Sequence, residues 1–375
     1  MQREYFGIGS IKILEEVIRE YNARRLFLVC GKNSFRLSGA EKKIKPFIEN
    51  LSYITFNPMQ NPKMEDIKSG IVLFEKFNPD VVIAIGGGSI IDSAKAINVL
   101  SFKDEDPIKY ITGKRNIEKK EKLLIAIPTT AGSGSESTQF ATIYVKNRKY
   151  SIESEKVIPD IAIVDPSLTF SLPKYITAYT GLDALCQGLE SYWSIHSTEV
   201  SQNYAKEAIQ LAYNNIRKAI ENDREGRVAM AKAANLSGKA INISKTTACH
   251  SISYPLTAYF GIPHGHAVSL AMPFFLEFNS YIDEENCNDN RGTDFVREKM
   301  HEIFSLLGVR DGEEAKKVFN NLLNILFKKT RLRDWNIKQR DLRLILKESF
   351  TSGRMNNNPK KVSKESLGRI LEMMW

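Results

Sequence analysis

The chain has 375 residues, enough to bury a large core and to form two or three domains. Its composition, 42% hydrophobic and 26% charged, is typical of a globular protein and excludes a disordered or collagen-like chain. No apolar signal segment or membrane-length run is present, so we expect a cytoplasmic protein with no membrane partner. The net charge is +9, but basic residues alternate with acidic ones. We therefore expect no nucleic-acid partner, whereas an anionic cofactor and substrate suit the positive field.

The first half of the chain alternates helical and strand patterns. Helical spacing of apolar residues predicts helices at Gly9–Tyr21 and Met64–Phe77. Short apolar runs predict five buried strands, at Arg25–Cys30, Ser52–Phe56, Val81–Ile85, Leu123–Pro128 and Ile161–Val164. This alternation is typical of α/β proteins and predicts a parallel, doubly wound sheet.

Two glycine-rich loops follow predicted strands. Gly86, Gly87, Gly88 and Ser89 lie between a strand and a helix, where backbone N–H groups and the helix N-terminus favour a phosphate. A tight structural turn needs only one or two glycines, so three of them favour phosphate binding. The second loop, Thr129–Glu136, is rich in hydroxyl groups and glycine. It is either a flexible linker or a ligand-binding loop, because open α/β sheets bind ligands at this end of their strands.

The character of the chain changes near Ser171, after which strand-like runs vanish. We place the domain boundary between residues 168 and 169, which gives an α/β domain over 1–168 and a helical domain over 169–375. Helical spacing in the second domain is clearest in four segments, Thr177–Tyr192, Glu199–Glu221, Arg224–Asn242 and Phe295–Leu307.

Histidines are scarce and concentrated. Three of the five, His250, His264 and His266, fall within nineteen residues around a Gly/Pro segment, which indicates metal ligation or proton transfer. Asp183 and Gln187 are four residues apart and therefore share one face of a predicted helix. The alternatives are an ordinary polar helix face and histidines packed around a turn. A cation held by Asp183, His250 and His264 would give the buried carboxylate its partner.

Five separated blocks resemble the iron-containing (group III) alcohol dehydrogenase family. They are GGGSIIDSAKA at 86–96, PTTAGSGSE at 128–136, DPSLTFSLP at 165–173, GLDALCQGLESYWS at 181–194 and HSISYPLTAYFGIPHG at 250–265. The resemblance covers nearly the whole chain. It implies a dinucleotide-binding α/β domain followed by a helical metal and substrate domain, and a nicotinamide-dependent alcohol dehydrogenase.

The resemblance implies a divalent metal with family ligands at Asp183, His250 and His264. The family's second ligand, a histidine, is replaced here by Gln187, whose amide oxygen is expected to add a weak fourth contact. A further family histidine is replaced by Tyr254. Nitrogen and oxygen ligands suit both Fe(II) and Zn(II), so the metal's identity stays open between them.

The resemblance also implies cofactor contacts. The family commonly has an aspartate where this chain has Gly31, followed by Lys32 and Arg36. Loss of that carboxylate beside two cations favours NADPH over NADH. The remaining expected cofactor contacts come from the two glycine-rich loops and from a lysine near the nicotinamide ribose, and are Gly86, Gly87, Gly88, Ser89, Asp92, Thr129, Thr130, Ser133 and Lys149.

The blocks SKTTACHSISYPLT and SGRMNNNPKKVS look most like a branch of the family that reduces phosphonoacetaldehyde to 2-hydroxyethylphosphonate. Lys245, Thr246 and Arg354 within them are expected to contact the phosphonate. Surface solvation is the alternative for Lys245 and Arg354. The proton donor is left open among Tyr254, His266 and a path through water and the ribose.

Three further hypotheses accompany this interpretation. The enzyme acts on another small aldehyde, it is a lyase of the dehydroquinate synthase type, or it is a metal-free nucleotide-binding regulatory protein. The expected partner is a small anionic aldehyde, and a homodimer is left open. The four cysteines lack CxxC spacing, so we expect reduced thiols at Cys30, Cys186, Cys249 and Cys287.

Overall fold

The computed structural model describes residues 2–59, 61–103, 105–146, 148–350 and 353–375. The chain divides into two compact units. The sheet unit contains the chain up to Leu172 together with Asn222–Ala231, and the helical unit contains Pro173–Glu221 and Lys232–Trp375. The boundary expected at 168/169 lies close to the one between Leu172 and Pro173. The sequence did not indicate that a short later segment belongs to the first unit.

Eight strands are found among the described residues of the sheet unit. They are β1 (Arg3–Phe6), β2 (Arg25–Cys30), β3 (Ser52–Phe56), β4 (Val81–Gly86), β5 (Leu123–Pro128), β6 (Phe140–Val145), β7 (Arg148–Glu153) and β8 (Ile161–Val164). Six form a parallel sheet in the order β1-β8-β5-β4-β2-β3, whereas β6 and β7 form an antiparallel hairpin. The predicted parallel α/β sheet is therefore confirmed.

The helices of the sheet unit cover both faces of this sheet. They are α1 (Ile13–Glu20), α2 (Ser34–Leu37), α3 (Ala40–Ile48), α4 (Met64–Phe77), α5 (Gly88–Leu100) and α6 (Pro107–Ile111). Alternate residues of β2 enter different cores, with Phe27 and Val29 on one face and Leu26 and Leu28 on the other. Central parallel strands are buried on both faces in this way, which explains their uninterrupted apolar runs.

Two features of this unit were not expected from the sequence. Strand β1 is short, half-buried and contains Arg3 and Glu4, so it lacks the apolar run that marks the other strands. It lies at the edge of the sheet beside β8. In the hairpin, the start of β6 alternates, with Ala141 and Ile143 buried and Thr142 half-buried between them. Its period of two was hidden behind the loop that precedes it.

The helical unit continues with nine helices in the described part of the chain. They are α7 (Lys174–Trp193), α8 (Glu199–Ile220), α9 (Arg224–Ser244), α10 (Ala248–Phe260), α11 (His264–Ser280), α12 (Thr293–Leu307), α13 (Gly312–Leu326), α14 (Leu342–Ser349) and α15 (Lys364–Met374). Helix α9 begins in the segment assigned to the sheet unit. Within the described ranges, none of the helices combines the length and apolar character needed to cross a membrane.

Helix α7 is the central element of the helical unit. Every residue from Gly181 to Trp193 is buried. It packs against α8 and α11, and α10 packs against α11. A helix buried on all sides places any polar side chain it carries in the interior, where that side chain needs a partner.

Candidate functional site

Three polar side chains of α7 share one buried face. Asp183, Gln187 and Glu190 are spaced four and three residues apart, which aligns them along the helix. They are 5%, 3% and 0% exposed, respectively. Two carboxylates and an amide in such a place require hydrogen-bond donors or a cation.

Asp183, His250 and His264 form what we call the three-ligand cluster. Each offers one ligand atom, and these atoms all lie within 4.8 Å of one another. Helix α10 supplies His250, and α11 begins at His264. Close approach of α11 to α7 depends on Gly265, because a Cβ there would lie 1.9 Å from the backbone oxygen of Tyr179. The expected ligands thus come together.

The chemistry of the three-ligand cluster fits a divalent cation. The Nε2 atom of His250 is buried 3.5 Å from Asp183 Oδ1 and has no hydrogen-bond partner among the described residues. Burial acts to lower the pKa of His250, but the negative charges of Glu190 and Asp183 outweigh it and raise that pKa to about 10. Two buried carboxylates therefore attract positive charge here, as a proton or as a metal.

Glu190 contacts the start of α10. Its Oε1 accepts hydrogen bonds from Thr247 Oγ1 at 2.8 Å, Cys249 N at 2.8 Å and His250 N at 3.3 Å. Its Oε2 makes a short contact with His250 Nδ1. Nothing in the sequence interpretation singled out Glu190, although its spacing from Asp183 and Gln187 along α7 is a signal that finds it.

The second histidine ligand has a different partner. Ser253 Oγ lies 3.2 Å from His264 Nδ1 and also contacts the backbone oxygen of His250 at 2.7 Å. The ring of Tyr254 stacks on His264, with the ring centroids 6.1 Å apart and an interplanar angle of 22°. Tyr254 is thus adjacent to His264, and its expected role as a proton donor stays a prediction.

Gln187 faces Ser237 of helix α9. The Ser237 hydroxyl lies 3.0 Å from Gln187 Oε1 and 3.0 Å from the backbone oxygen of Ala234. The amide is therefore anchored at one end by a hydroxyl group. Its expected role as a weak fourth metal contact stays a prediction.

His266 lies in an aromatic cluster outside the three-ligand cluster. Its ring stacks on Phe327 with centroids 3.8 Å apart, and Trp335 packs edge-on at 5.2 Å. Its Nε2 donates to the backbone oxygen of Lys329 at 2.8 Å. Burial lowers the pKa of His266 to about 4, so the ring is neutral at pH 7. These contacts do not support His266 as the proton donor and favour a packing role.

Two segments that carry the expected phosphonate contacts are joined in the structure. Lys245 and Thr246 connect α9 to α10, and Arg354 begins a short 3-10 helix that ends at Asn357. Asn357 Nδ2 donates to the backbone oxygen of Thr246 at 2.9 Å. Lys245 and Arg354 are both half-buried, and Lys245 has a left-handed backbone with φ of 63°. Left-handed non-glycine residues cost roughly 1–3 kcal/mol and are frequent at functional sites.

In the sheet unit, the two glycine-rich loops pack against each other. A Cβ on Gly87 would lie 3.2 Å from Thr130 Oγ1, and one on Gly88 would lie 2.5 Å from Ser133 Oγ. A side chain at either position would require these hydroxyl groups to move, so glycine suits the close packing of the two loops at the N-terminus of α5, the end of a helix that favours an anion. Thr129 Oγ1 is buried without a hydrogen-bond partner in the described ranges.

The strand order places these loops at a topological switch point. The chain passes from β2 to β3 on one side and returns to β4 on the other side of β2. Cys30 and Ile85 pair at the carboxyl ends of β2 and β4, so Gly31 and Gly86 follow them at one edge. Open α/β sheets bind ligands at such a point. Beside it, Ser89 Oγ accepts a hydrogen bond from Asn61 N at 3.3 Å.

Two residues of α5 hold the second loop in place. Asp92 accepts hydrogen bonds from Ser135 Oγ and from Thr142 N. Each carboxylate oxygen thus accepts one hydrogen bond within the protein, so Asp92 supports this region, and its expected contact with the cofactor stays a prediction. The buried Lys95, which the sequence interpretation missed, donates to three backbone oxygens, those of Ser135, Thr138 and Phe140. Burial lowers the pKa of Lys95 to about 8.

The remaining expected cofactor contacts lie in β7 and after β2. Lys149 is half-buried in β7, opposite Tyr144 of β6. Gly31 is followed by the exposed Lys32 and, farther on, by Arg36. A Cβ at Gly31 would lie 2.2 Å from Ser34 Oγ, so a larger residue there requires that hydroxyl to rotate.

Comparisons with known proteins follow the same division of the chain. A family model described as iron-containing alcohol dehydrogenase matches residues 2–166. A second model, described as the C-terminal part of the Fe-containing alcohol dehydrogenase family, matches residues 177–375. Together these two matches extend over most of the chain.

Individual relatives point to aldehyde and alcohol chemistry. The phosphonoacetaldehyde reductase of Streptomyces viridochromogenes is 34% identical over 302 residues, covering 78% of this chain and 75% of that protein. The NADPH-dependent butanol dehydrogenase of Clostridium saccharobutylicum is 29% identical, covering 99% and 96%, respectively. The solved structure of sulfoacetaldehyde reductase from Bifidobacterium kashiwanohense in complex with NAD+ is 27% identical, with a TM-score of 0.88, and covers 100% of this chain and 96% of that one.

Proposed function

The chain belongs to the iron-containing alcohol dehydrogenase family and is thus an oxidoreductase, and from that premise we propose that it reduces phosphonoacetaldehyde to 2-hydroxyethylphosphonate. The observation that carries the substrate is the hydrogen bond that joins the Lys245–Thr246 turn to the Arg354–Asn357 segment. Family membership also argues against the two other hypotheses, a lyase and a metal-free regulatory protein.

The metal is assigned to Asp183, His250 and His264, with Gln187 as an expected weaker contact. A divalent ion held there would supply Lewis-acid polarisation of the aldehyde oxygen, and NADPH would supply the hydride. The residues themselves fix the site, because α7, α10 and α11 hold their ligand atoms together within a buried region. Burial of Asp183 and His250 strengthens the electrostatic contacts between them.

Tyr254 is the proposed proton donor. Reduction adds a hydride to the carbonyl carbon and a proton to the carbonyl oxygen, so a proton donor near the metal ligands is required. Tyr254 is half-buried and stacks on His264, whereas His266 is neutral and its Nε2–H is already used by Lys329. The stacking therefore favours Tyr254 as the donor to the oxygen.

Lys245, Thr246 and Arg354 are the proposed phosphonate contacts. The Lys245–Thr246 turn leads directly into α10, which carries His250. Lys245 is close to His250 in the chain, and Arg354 belongs to the segment that is hydrogen-bonded to the Lys245–Thr246 turn. Two cations so placed suit a substrate with an aldehyde at one end and a dianion at the other. Each charge-assisted hydrogen bond would contribute roughly 1.5–3 kcal/mol. A sulfonate group has the same tetrahedral geometry as a phosphonate group and carries less negative charge. Because the chain is similar to a sulfoacetaldehyde reductase, sulfoacetaldehyde is the second candidate substrate.

NADPH is the proposed cofactor. Gly31 offers no carboxylate to repel a 2′-phosphate, and Lys32 and Arg36 are nearby in the sequence. A test replaces Gly31 by Asp in a Ser34→Ala background, which removes the hydroxyl that a Cβ would meet. We expect the preference for NADPH to fall at least tenfold, with Gly31→Asn in the same background as the uncharged control. An equal preference in both variants would contradict the proposal.

The substrate test follows NADPH absorbance with a panel of aldehydes. We expect kcat/KM for phosphonoacetaldehyde to exceed that for propionaldehyde and lactaldehyde by roughly 100-fold or more, which corresponds to two charge-assisted contacts. Sulfoacetaldehyde is included to distinguish the two candidate substrates. If sulfoacetaldehyde is the best substrate, the second candidate function is correct. If neutral aldehydes react equally well, only a general alcohol dehydrogenase remains.

A further inference from the structure

We propose that Glu190 is a positioning residue that fixes His250 in the tautomer with the proton on Nδ1, so that Nε2 is available to the metal. The inference rests on the metal binding in the proposed function. It assigns a task to a buried carboxylate that is not itself a ligand, and it follows from the direction of the hydrogen bonds around that carboxylate.

Three hydrogen bonds use Glu190 Oε1 as their acceptor. Cys249 N and His250 N can only donate to its Oε1. Thr247 Oγ1 accepts from Trp193 Nε1 at 2.9 Å and has one proton of its own, which it donates to the same oxygen at 2.8 Å. The position at the start of α10 also favours a negative charge. Imidazole is a stronger base than a carboxylate, so the proton between Glu190 Oε2 and His250 Nδ1 is assigned to the ring, and Glu190 accepts there as well.

The carboxylate of Glu190 determines which nitrogen of the neighbouring imidazole carries the proton. Because Glu190 Oε2 has no proton to give, the contact with His250 Nδ1 requires the proton to be on Nδ1. The unprotonated lone pair of a metal-bound His250 must then be on Nε2, the atom that lies 3.5 Å from Asp183 Oδ1. A carboxylate partner also makes the imidazole a stronger ligand.

The second histidine shows the same arrangement with a weaker partner. Ser253 Oγ donates its proton to the backbone oxygen of His250, so its lone pair accepts from His264 Nδ1. Both imidazoles therefore present Nε2, one held by a charged carboxylate and the other by a neutral hydroxyl group. This difference within one site supplies an internal control for the role of the charge.

The experiment compares Glu190→Gln with Ser253→Ala. The glutamine amide keeps an oxygen for the α10 backbone donors but turns an N–H group toward His250 Nδ1, which forces the proton to Nε2. Zn²⁺ and Co²⁺ affinities of the metal-free proteins are measured by competition with a chelator. We expect Glu190→Gln to bind both ions roughly 10- to 100-fold more weakly than the wild type, and Ser253→Ala to be weakened less.

Histidine NMR supplies a readout that a merely structural role would not change. The chain has five histidines, so long-range ¹H–¹⁵N spectra of the Zn²⁺-loaded protein can resolve each ring. We expect His250 in the wild type to have its proton on Nδ1 and its metal-bound nitrogen at Nε2. In Glu190→Gln at saturating Zn²⁺, we expect the Nδ1–H resonance of His250 to shift or disappear while that of His264 persists.

Each outcome decides the inference. Wild-type affinity and an unchanged His250 tautomer in Glu190→Gln would overturn it. If the wild type itself binds neither ion, the metal in the proposed function fails first, and the two failures are thereby distinguished.

A second variant covers the case in which Glu190→Gln does not fold. Glu190→Asp keeps the negative charge, but its shorter side chain withdraws the carboxylate from His250 Nδ1. We expect this variant to bind Zn²⁺ and Co²⁺ more weakly than both the wild type and Ser253→Ala. Binding should still be measurable. Wild-type affinity in Glu190→Asp, with an altered Nδ1–H resonance showing that the carboxylate no longer reaches His250, would overturn the inference.

Discussion

Two buried histidines of the helical unit, His250 and His266, have opposite electrostatic surroundings. They are 3% and 1% exposed, so burial acts on both to lower the pKa. The pKa of His266 is lowered to about 4, whereas that of His250 is raised to about 10. The difference is due to the carboxylates of Asp183 and Glu190, which face His250 alone. Burial by itself thus does not decide the charge of a buried histidine, whereas its charged neighbours do.

The two regions also differ in how their ring nitrogens are used. Around His266, aromatic rings and one backbone oxygen surround a neutral imidazole, which is the environment of a packing residue. Around His250, one nitrogen faces Glu190 and the other faces Asp183 across the three-ligand cluster. The following predictions test this contrast, beginning with the largest expected effect.

Replacing His250 by Ala should abolish metal binding and most of the activity. The change removes one of three ligands and leaves Asp183 and Glu190 facing each other without a cation. Loss of metal polarisation, worth several kcal/mol, should lower kcat/KM by about 10³-fold or more. Elemental analysis and NADPH-dependent aldehyde reduction check both effects. Retention of one metal ion per chain together with full turnover would remove His250 from the ligand set.

Replacing Lys245 by Gln extends the comparison to the substrate, where charge pairing should again dominate. We expect kcat/KM for phosphonoacetaldehyde to fall by roughly 10- to 100-fold, because the variant makes one charge-assisted hydrogen bond fewer. Propionaldehyde reduction should change by less than about threefold. Gln resembles Lys245 in being unbranched and has the same left-handed backbone cost, and Lys245→Arg is the charged control. An equal decrease for both aldehydes would indicate a structural role.

Replacing His266 by Phe should have the smallest effect. The aromatic stack with Phe327 and Trp335 is retained, and only the hydrogen bond to Lys329 is removed. Lys329 is exposed, so water can satisfy its carbonyl group. We expect the free energy of unfolding to fall by about 1 kcal/mol and kcat/KM to change by less than about twofold. Activity measurements and denaturant titration decide this, and a decrease comparable to that of His250→Ala would restore His266 as a catalytic residue.

The sequence predicted the parallel sheet because each central strand is a short apolar run buried on both faces. It predicted that Asp183, His250 and His264 would meet, because histidine is rare and the resemblance covers five blocks. It did not separate His266 from the other two, since spacing around a turn does not reveal which ring faces Phe327 and which faces a carboxylate.

The sequence interpretation mainly missed side chains whose hydrogen-bond partners lie on distant elements. Glu190 and Lys95 both lie within recognisable motifs, yet their tasks depend on hydrogen bonds to segments far away in the chain. Strand β1 was missed because Arg3 and Glu4 interrupt its apolar pattern at the sheet edge. Such contacts are set by tertiary packing, which local periodicity does not report.

The most direct test of the central claim is the activity of the wild-type protein after metal removal and reconstitution. The purified chain is treated with a chelator, assayed with NADPH and phosphonoacetaldehyde, and assayed again after addition of Fe(II) or Zn(II). Our account predicts that turnover disappears with the metal and returns when about one equivalent of a divalent ion binds per chain. Full activity in the metal-free protein would contradict it.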